Sequence, residues 1–290
     1  MSTEAHRQEV SIYEYHNRRQ SGPWISHSAT KYAYKIMPDK EWIWTPHTFR
    51  RYLDGKVKSK STKDQDVGTI FHCLCEGTDP QVIVCPVARR GTKEWTAWLA
   101  TEAASRHMTV PDLEDNFTIL KTNEDDKILQ MFESMKHNKI VCEMMEDVKV
   151  AKEGTVRWID QYSKLPLQAR PDLETENFIL DYKTSTSPED FLFNAYDLGY
   201  HRQASMQVAG IEAVTGKKKA MRHIVIGKEA PYDVLVYEFP VNAMALGAAE
   251  MSEIYSHIRD WIDFDTWDSP WDNRVITTDF PAYIYRGKTY

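Results

Sequence analysis

The sequence predicts an α/β chain, and three kinds of local pattern predict it. Strand-length apolar runs bounded by polar residues recur, the clearest being Phe178-Ile179-Leu180 in FILDYK. Helix-start signatures stand at Thr45-Pro46 and at Ser187-Pro188-Glu189-Asp190, each a capping hydroxyl followed by a proline whose fixed φ suits the first helical position. Helix-length stretches carry apolar residues at helical spacing, as in Ile128, Leu129, Met131, Phe132 and Met135. At 290 residues the chain can be one large domain or two small ones. The expected partition is one body over 67–290 with a helical N-terminal elaboration over 1–66.

The elements follow in order. Residues 1–66 are mixed, with aromatics at Trp24, Tyr32, Tyr34, Trp42 and Trp44. Thr45-Pro46 opens a short helix ending near Gly55, and KVKSKSTKDQD after it reads as a polar, basic loop. Val67 to Glu76 reads as a helix, apolar on most sides, with His72 inside it. A strand-like piece over DPQVIVCP, a basic turn at Arg89-Arg90 and an amphipathic helix bearing Trp95, Trp98 and Leu99 come next. Asn123 to Asn138 is expected as a helix. Val156, Trp158 and Asp160 alternate as a strand, turned by Tyr162-Ser163-Lys164 into the run Leu165 to Ala169.

From there Glu174-Thr175-Glu176-Asn177 is short and polar enough to let the Leu165–Ala169 run pair with Phe178–Lys183 as a hairpin. A helix starts at Ser187 and stops at Gly199, and a second runs from Tyr200 to about Val214, ending at Thr215-Gly216. His223–Gly227 and Val234–Phe239 read as two outer strands. Asn242 is the expected cap of a long helix to about Ile262, and an aromatic, proline-rich tail follows.

Composition narrows the function classes. No run of eighteen apolar residues occurs, so no transmembrane helix is expected, and the N-terminus lacks the apolar core of a secretory signal. The expected location is the cytoplasm. Cys73, Cys75, Cys85 and Cys142 lack zinc spacing and read as reduced thiols. The net charge of −7 counts against a generic nucleic-acid binder, although Lys56–Lys63, Arg89-Arg90 and Lys217–Lys219 are local basic clusters. A charge run is usually a solvated face; Lys58 and Lys60 are the candidates for phosphate contact in the first cluster.

The chemistry concentrates at LQARPDLETENFILDYK. In a strand, Asp181 and Lys183 share a face and Tyr182 takes the other. A hairpin then brings Asp172 to the same sheet edge, so two carboxylates and an amine converge. Hard divalent cations such as Mg²⁺ take one or two carboxylates and keep several waters. The ion acidifies a bound water, and an adjacent lysine stabilises developing negative charge. That set suits phosphodiester hydrolysis. Asp-x-Lys alone is commonplace, and a lone histidine such as His72 on an apolar helix is more often core than ligand.

These residues resemble the PD-(D/E)XK nuclease superfamily, with Asp181 in the middle acidic slot. More narrowly, GTIFH, ARPD, FILDYKTS and GYHRQASMQ, in that order, resemble the exonuclease VIII (RecE) nucleases of phages and prophages in bacterial hosts. The resemblance spans most of the chain and is weakest over the first sixty residues. It implies a central mixed β-sheet flanked by helices. It implies that His72, Asp172, Asp181 and the backbone carbonyl of Tyr182 hold Mg²⁺, with Mn²⁺ also acceptable, and that Glu153, or else Glu146, fills a further acidic slot. Lys183 would position the attacking water, and Gln203 would contact Lys183 or a phosphate. Arg170, Tyr200, His201 and Arg202 would meet DNA. Some relatives carry an iron–sulfur cluster; none is expected here, because no cysteine follows Cys142. The implied activity is digestion of linear double-stranded DNA, 5′ to 3′, from its ends, by a homo-oligomeric ring working with a single-strand annealing protein. A single-strand nuclease or endonuclease of the same superfamily, and a non-catalytic DNA-binding module, are the rival readings.

Overall fold

The computed structural model describes residues 5–8, 24–37, 41–57, 63–78, 80–146 and 154–271. The N-terminal part contributes β1 (His6–Gln8), α1 (His27–Thr30), β2 (Tyr34–Ile36), β3 (Trp42–Trp44) and α2 (Pro46–Leu53). Then come α3 (Lys63–Glu76), β4 (Val82–Cys85), α4 (Lys93–Ser105), α5 (Val110–Asn116), β5 (Thr118–Lys121), α6 (Thr122–His137) and α7 (Lys139–Glu146). The remainder is β6 (Thr155–Ile159), β7 (Pro166–Ala169), β8 (Leu173–Glu174), β9 (Phe178–Ser185), α8 (Phe191–Asp197), α9 (Tyr200–Thr215), β10 (Ala220–Gly227), β11 (Val234–Glu238) and α10 (Val241–Phe264).

The central sheet is mixed and has four strands in the order β11-β10-β9-β8. β10 lies parallel to β9, while β8 and β11 run antiparallel to their neighbours. Alternation along β9 and β10 divides the core. Ile179, Met221 and Val225 face α9 and α10, where Ala204, Ile211, Ile254 and Ile258 close the layer. Leu180, Tyr182, Ile224 and Ile226 face α3, α6 and α7 through Phe71, Met131 and Met144. Each such Ile, Leu, Val, Phe or Met side chain taken out of water stabilises the fold by about 1.5–3 kcal/mol. A smaller core joins β4 to α4 and α5 through Ile83, Trp95, Leu99 and Leu113. Residues 24–37 and 41–53 share the first core, with Ile25, Tyr34 and Phe49 buried in it.

β6 and β7 pair antiparallel, with β1 on the far side of β6, as a three-stranded sheet under α9. The fit there is close. A Cβ on Gly210 would stand 2.6 Å from the Trp158 ring, so glycine lets α9 settle onto β6.

Several expectations are corrected. Leu165–Ala169 pairs with β6, not with β9; the two-residue β8, just after Asp172, is the hairpin partner of β9. The chain bends at Arg170–Asp172 from one sheet to the other. β10 is internal, because the parallel pairing to β9 puts it between β9 and β11; of the two, β11 alone is outer. Pro188–Asp190 is a 3₁₀ turn before α8, and Ser187 makes no side-chain cap. α10 begins at Val241 after Pro240, so Asn242 lies inside its first turn. Lys63–Asp66 belong to α3, shortening the basic loop from that end. Among the described residues no helix is long and apolar enough to cross a membrane.

Candidate active site

β8 and β9 are in register at Leu173↔Leu180 and Glu174↔Ile179, so the next step of the ladder sets Asp172 beside Asp181. Asp172 Oδ2 accepts the Tyr182 backbone N–H at 2.7 Å. The Tyr182 ring points to the opposite face, edge-on to Phe71 and His72 at 6.3 and 5.8 Å between centroids. That contact seats α3 over β9 and brings His72 Nδ1 to 3.4 Å from Asp172 Oδ2. Glu76 follows His72 by one helical turn, on the same helix face. His72, Glu76 and Asp172 each bring a ligand atom within 4.8 Å of the others. Gly68 lies one turn before His72; a Cβ there would meet Thr184 Oγ1 at 3.5 Å, ordinary contact, so the close approach does not require glycine.

Asp181 lies outside that cluster and is ringed by donors. Lys183 Nζ pairs with its Oδ2, as does His223 Nδ1 at 3.1 Å, and Gln203 Nε2 donates to Oδ1 at 3.1 Å. Lys183 also lies 4.8 Å from the centre of the Tyr200 ring. The two aspartates are driven apart electrostatically. Burial raises the Asp172 carboxyl above its ordinary range; His72 counters this, and the Asp181 charge adds to it. Burial acts the same way on Asp181, but Lys183 and His223 outweigh it and hold that carboxyl well below its usual range. Burial would lower Lys183, yet Asp181 and Asp172 together raise it, so it stays an ammonium ion.

The structure thus brings His72, Asp172, Asp181, Tyr182, Lys183 and Gln203 together from α3, the β8–β9 hairpin and α9. Tyr200 joins them through Lys183 and stacks on Phe191. Arg170 sits at the bend before Asp172, with its carbonyl taken by Gln207 of α9. His201 and Arg202 do not face the site. Both are buried against α10, donating to Glu250 Oε2 at 2.8 and 2.5 Å, and Arg202 packs over Tyr34 and Trp42. A phosphate cannot reach a guanidinium placed there, which corrects their assignment to DNA contact. Glu153, Lys58 and Lys60 lie outside the described residues, and Glu146 is exposed at the end of α7.

Two residues of the site were not anticipated from sequence. Glu76 carried a signal, being four residues after His72 on one helix. His223 carried none, because only the β9–β10 register places it beside Asp181.

The donor set fits a divalent cation. Two carboxylates and an imidazole converge on one small volume, and burial of Asp172 beside a second carboxylate leaves a local excess of negative charge that a cation offsets. Oxygen donors suit Mg²⁺, and the imidazole is acceptable to Mn²⁺.

Comparison with known proteins agrees with this geometry. No curated protein matches the sequence. A crystal structure of a protein named "Putative exonuclease" from Eubacterium rectale superposes with a TM-score of 0.60 at 12% identity, over 96% of this chain and 98% of that one. That likeness concerns the fold. The profile of the PDDEXK-like domain of unknown function (DUF3799) matches residues 28–268, which include every one of the residues just brought together. With most of its length inside that match and a mixed sheet carrying Asp172, Asp181 and Lys183 at one edge, the chain belongs to the PDDEXK-like DUF3799 family of the PD-(D/E)XK superfamily.

Proposed function

We propose that this chain is a Mg²⁺-dependent DNA exonuclease that degrades linear double-stranded DNA from its ends, 5′ to 3′. The observation that carries the reading is the adjacency of Asp172 and Asp181 on a β-hairpin with Lys183 paired to Asp181 and His72 to Asp172. His72, Glu76 and Asp172 would hold the cation, and the adjacent Asp181 carboxylate would complete the set once Lys183 and Gln203 turn from it to substrate. When bound, the cation supplies a water acidic enough to act as nucleophile and offsets charge on the phosphoryl oxygens.

The chain's own residues do the rest. Lys183, charged at neutral pH, orients the attacking water and stabilises the negative charge that grows on phosphorus-bound oxygen. Gln203, now donating to Asp181, is within reach to exchange that bond for one to a phosphate. Asp181 is buried and Asp172 only partly exposed, at 1% and 16%, which limits bulk water and strengthens each of these interactions. Action at ends, in a ring, beside a single-strand annealing protein and in the cytoplasm of a bacterium carrying a phage or prophage is supported by the motif resemblance to the exonuclease VIII group. The name of the structural neighbour, an exonuclease, supports action at ends alone.

The test compares end-labelled linear duplex, closed circular duplex and single strands with Mg²⁺ or Mn²⁺, using the wild type and Asp181→Ala. Digestion of the linear duplex alone, from 5′ ends, and its loss in the variant are expected. Cutting of circles makes the protein an endonuclease, and preference for single strands a single-strand nuclease. Binding without cutting makes it a DNA-binding module. Equal rates for both proteins remove Asp181 from the chemistry.

A further inference from the structure

We infer that His223 is a positioning residue for Asp181, fixing the carboxylate through an Nδ1–H bond while the other donors around it turn to substrate; the inference rests on the nuclease reading above. β10 runs parallel to β9 with His223 opposite Asp181, which puts both side chains on one face of the sheet. His223 Nδ1 is 3.1 Å from Asp181 Oδ2, and the ring is 0% exposed. Its walls are aromatic: Phe239, Phe191 and Tyr200 stand 4.8, 5.5 and 6.1 Å away between centroids.

Asp181 is ionised and offers only lone pairs, so Nδ1 carries the proton. That assigns the tautomer from the bonding partner. Nε2 is then left buried with no hydrogen-bond partner among the described residues. An apolar side chain would fill an aromatic box of this kind without orphaning a polar atom. What histidine adds here is the bond to Asp181.

The three donors around Asp181 differ in what else they can do. Lys183 is partly exposed, and Gln203 lies on the helix face that meets the site. Both can exchange Asp181 for a water or a phosphate. His223 cannot, because no solvent or substrate reaches it. Among the described residues it alone keeps the carboxylate from rotating when the others leave, and partners of this sort typically alter metal affinity or activity when removed.

The variants are His223→Asn, which keeps an N–H close to the position of Nδ1, and His223→Leu, of similar size but without a donor. Readouts are the Mn²⁺ dependence of cleavage, Mn²⁺ binding without DNA followed by the electron paramagnetic resonance of the free ion, and KM for DNA. The leucine variant should need about 10–100-fold more Mn²⁺, in both cleavage and binding, with KM for DNA unchanged, and the asparagine variant should recover most of that loss. Wild-type Mn²⁺ dependence in a folded leucine variant overturns the inference. If the wild type cleaves and Asp181→Ala does not, the nuclease reading survives that failure; if neither cleaves DNA, the nuclease reading itself falls; and if both cleave equally, Asp181 leaves the chemistry and the inference about His223 falls with it. Should the leucine variant not fold, ring-¹⁵N-labelled wild type decides, its His223 signal assigned by loss in the asparagine variant. A protonated Nδ1 that shifts on adding Ca²⁺ supports the inference, and a protonated Nε2 overturns it.

Discussion

Replacing Glu250 by alanine should destabilise the fold by about 3 kcal/mol or more, because it leaves a buried guanidinium without its counter-charge. Glu250 accepts from both Arg202 and His201, and the Arg202 and Glu250 side chains are 2% and 12% exposed. Burial, the largest influence, lowers the His201 pKa, so the charge pair is Arg202 with Glu250. Breaking such a pair from one side typically costs 3–5 kcal/mol. The lower end applies, because Tyr34 and Trp42 still face the cation at 5.5 and 5.3 Å. In a chain of this size that is a fall in melting temperature of roughly 5–10 °C. The assay is equilibrium urea denaturation of wild type, Glu250→Ala, Arg202→Met and the double variant. Methionine suits the aromatic walls, so the double variant should lose clearly less than the sum, with a coupling of about 2 kcal/mol. DNA affinity of folded Arg202→Met should be unchanged. The reasoning fails if Glu250→Ala costs under about 1 kcal/mol, if the losses simply add, or if Arg202→Met reduces the salt dependence of DNA binding by about one phosphate contact.

Two further outcomes follow from the same structure. Glu76→Gln should raise the Mn²⁺ needed for half-maximal cleavage on the order of tenfold, since ligand charge tunes the affinity of such sites, while Glu143→Gln, at an exposed position of α7, should leave it alone; equal effects would remove Glu76 from the metal cluster. Glu124 reports on the fold at acid pH. Burial would raise its pKa, but two Arg90 hydrogen bonds and the Lys121 amide outweigh that and bring it from 4.5 to about 2. A depressed carboxyl stabilises the fold above its unfolded value. The gap in urea midpoint between wild type and Glu124→Gln should therefore be constant above pH 5 and close as pH falls from about 4.5 towards 2. A gap unchanged over that range would refute the clamp.

What was legible in the sequence was what depends on neighbours along the chain. The alternation in FILDYK assigns Asp181 and Lys183 to one face and Tyr182 to the other, as the structure has them. The long apolar stripe after Asn242 is a helix, although its start is set by Pro240 and not by the asparagine. His201 and Arg202 show where local reading ends. On a helix Tyr200, Gln203 and Gln207 share a face at three- and four-residue spacing, and that face meets the site. His201, Arg202 and Ser205 lie on the next face round, where α10 packs against them. Four consecutive polar residues looked like one binding surface because nothing local says that a second helix covers half of it. The bend at Arg170–Asp172 was hidden for a related reason: the pairing partners of β7 and β8 belong to different sheets.

The opposite treatment of Asp172 and Asp181 is the deepest link from sequence to chemistry. Adjacent carboxylates cannot both be comfortable in a buried site. One is stabilised by charge already in the chain: Lys183 from its own strand and the bond from His223 on the parallel neighbour. The other is pushed upward by burial, which a backbone N–H and an imidazole, less than a full counter-charge, only partly offset. Paired acids whose environments pull them apart are a signature of divided roles. Asp181 is the group whose charge and orientation the protein fixes itself. Asp172, with Glu76 and His72, is where the protein leaves negative charge to be met by a cation, and that asymmetry is what the metal-dependence assays above measure.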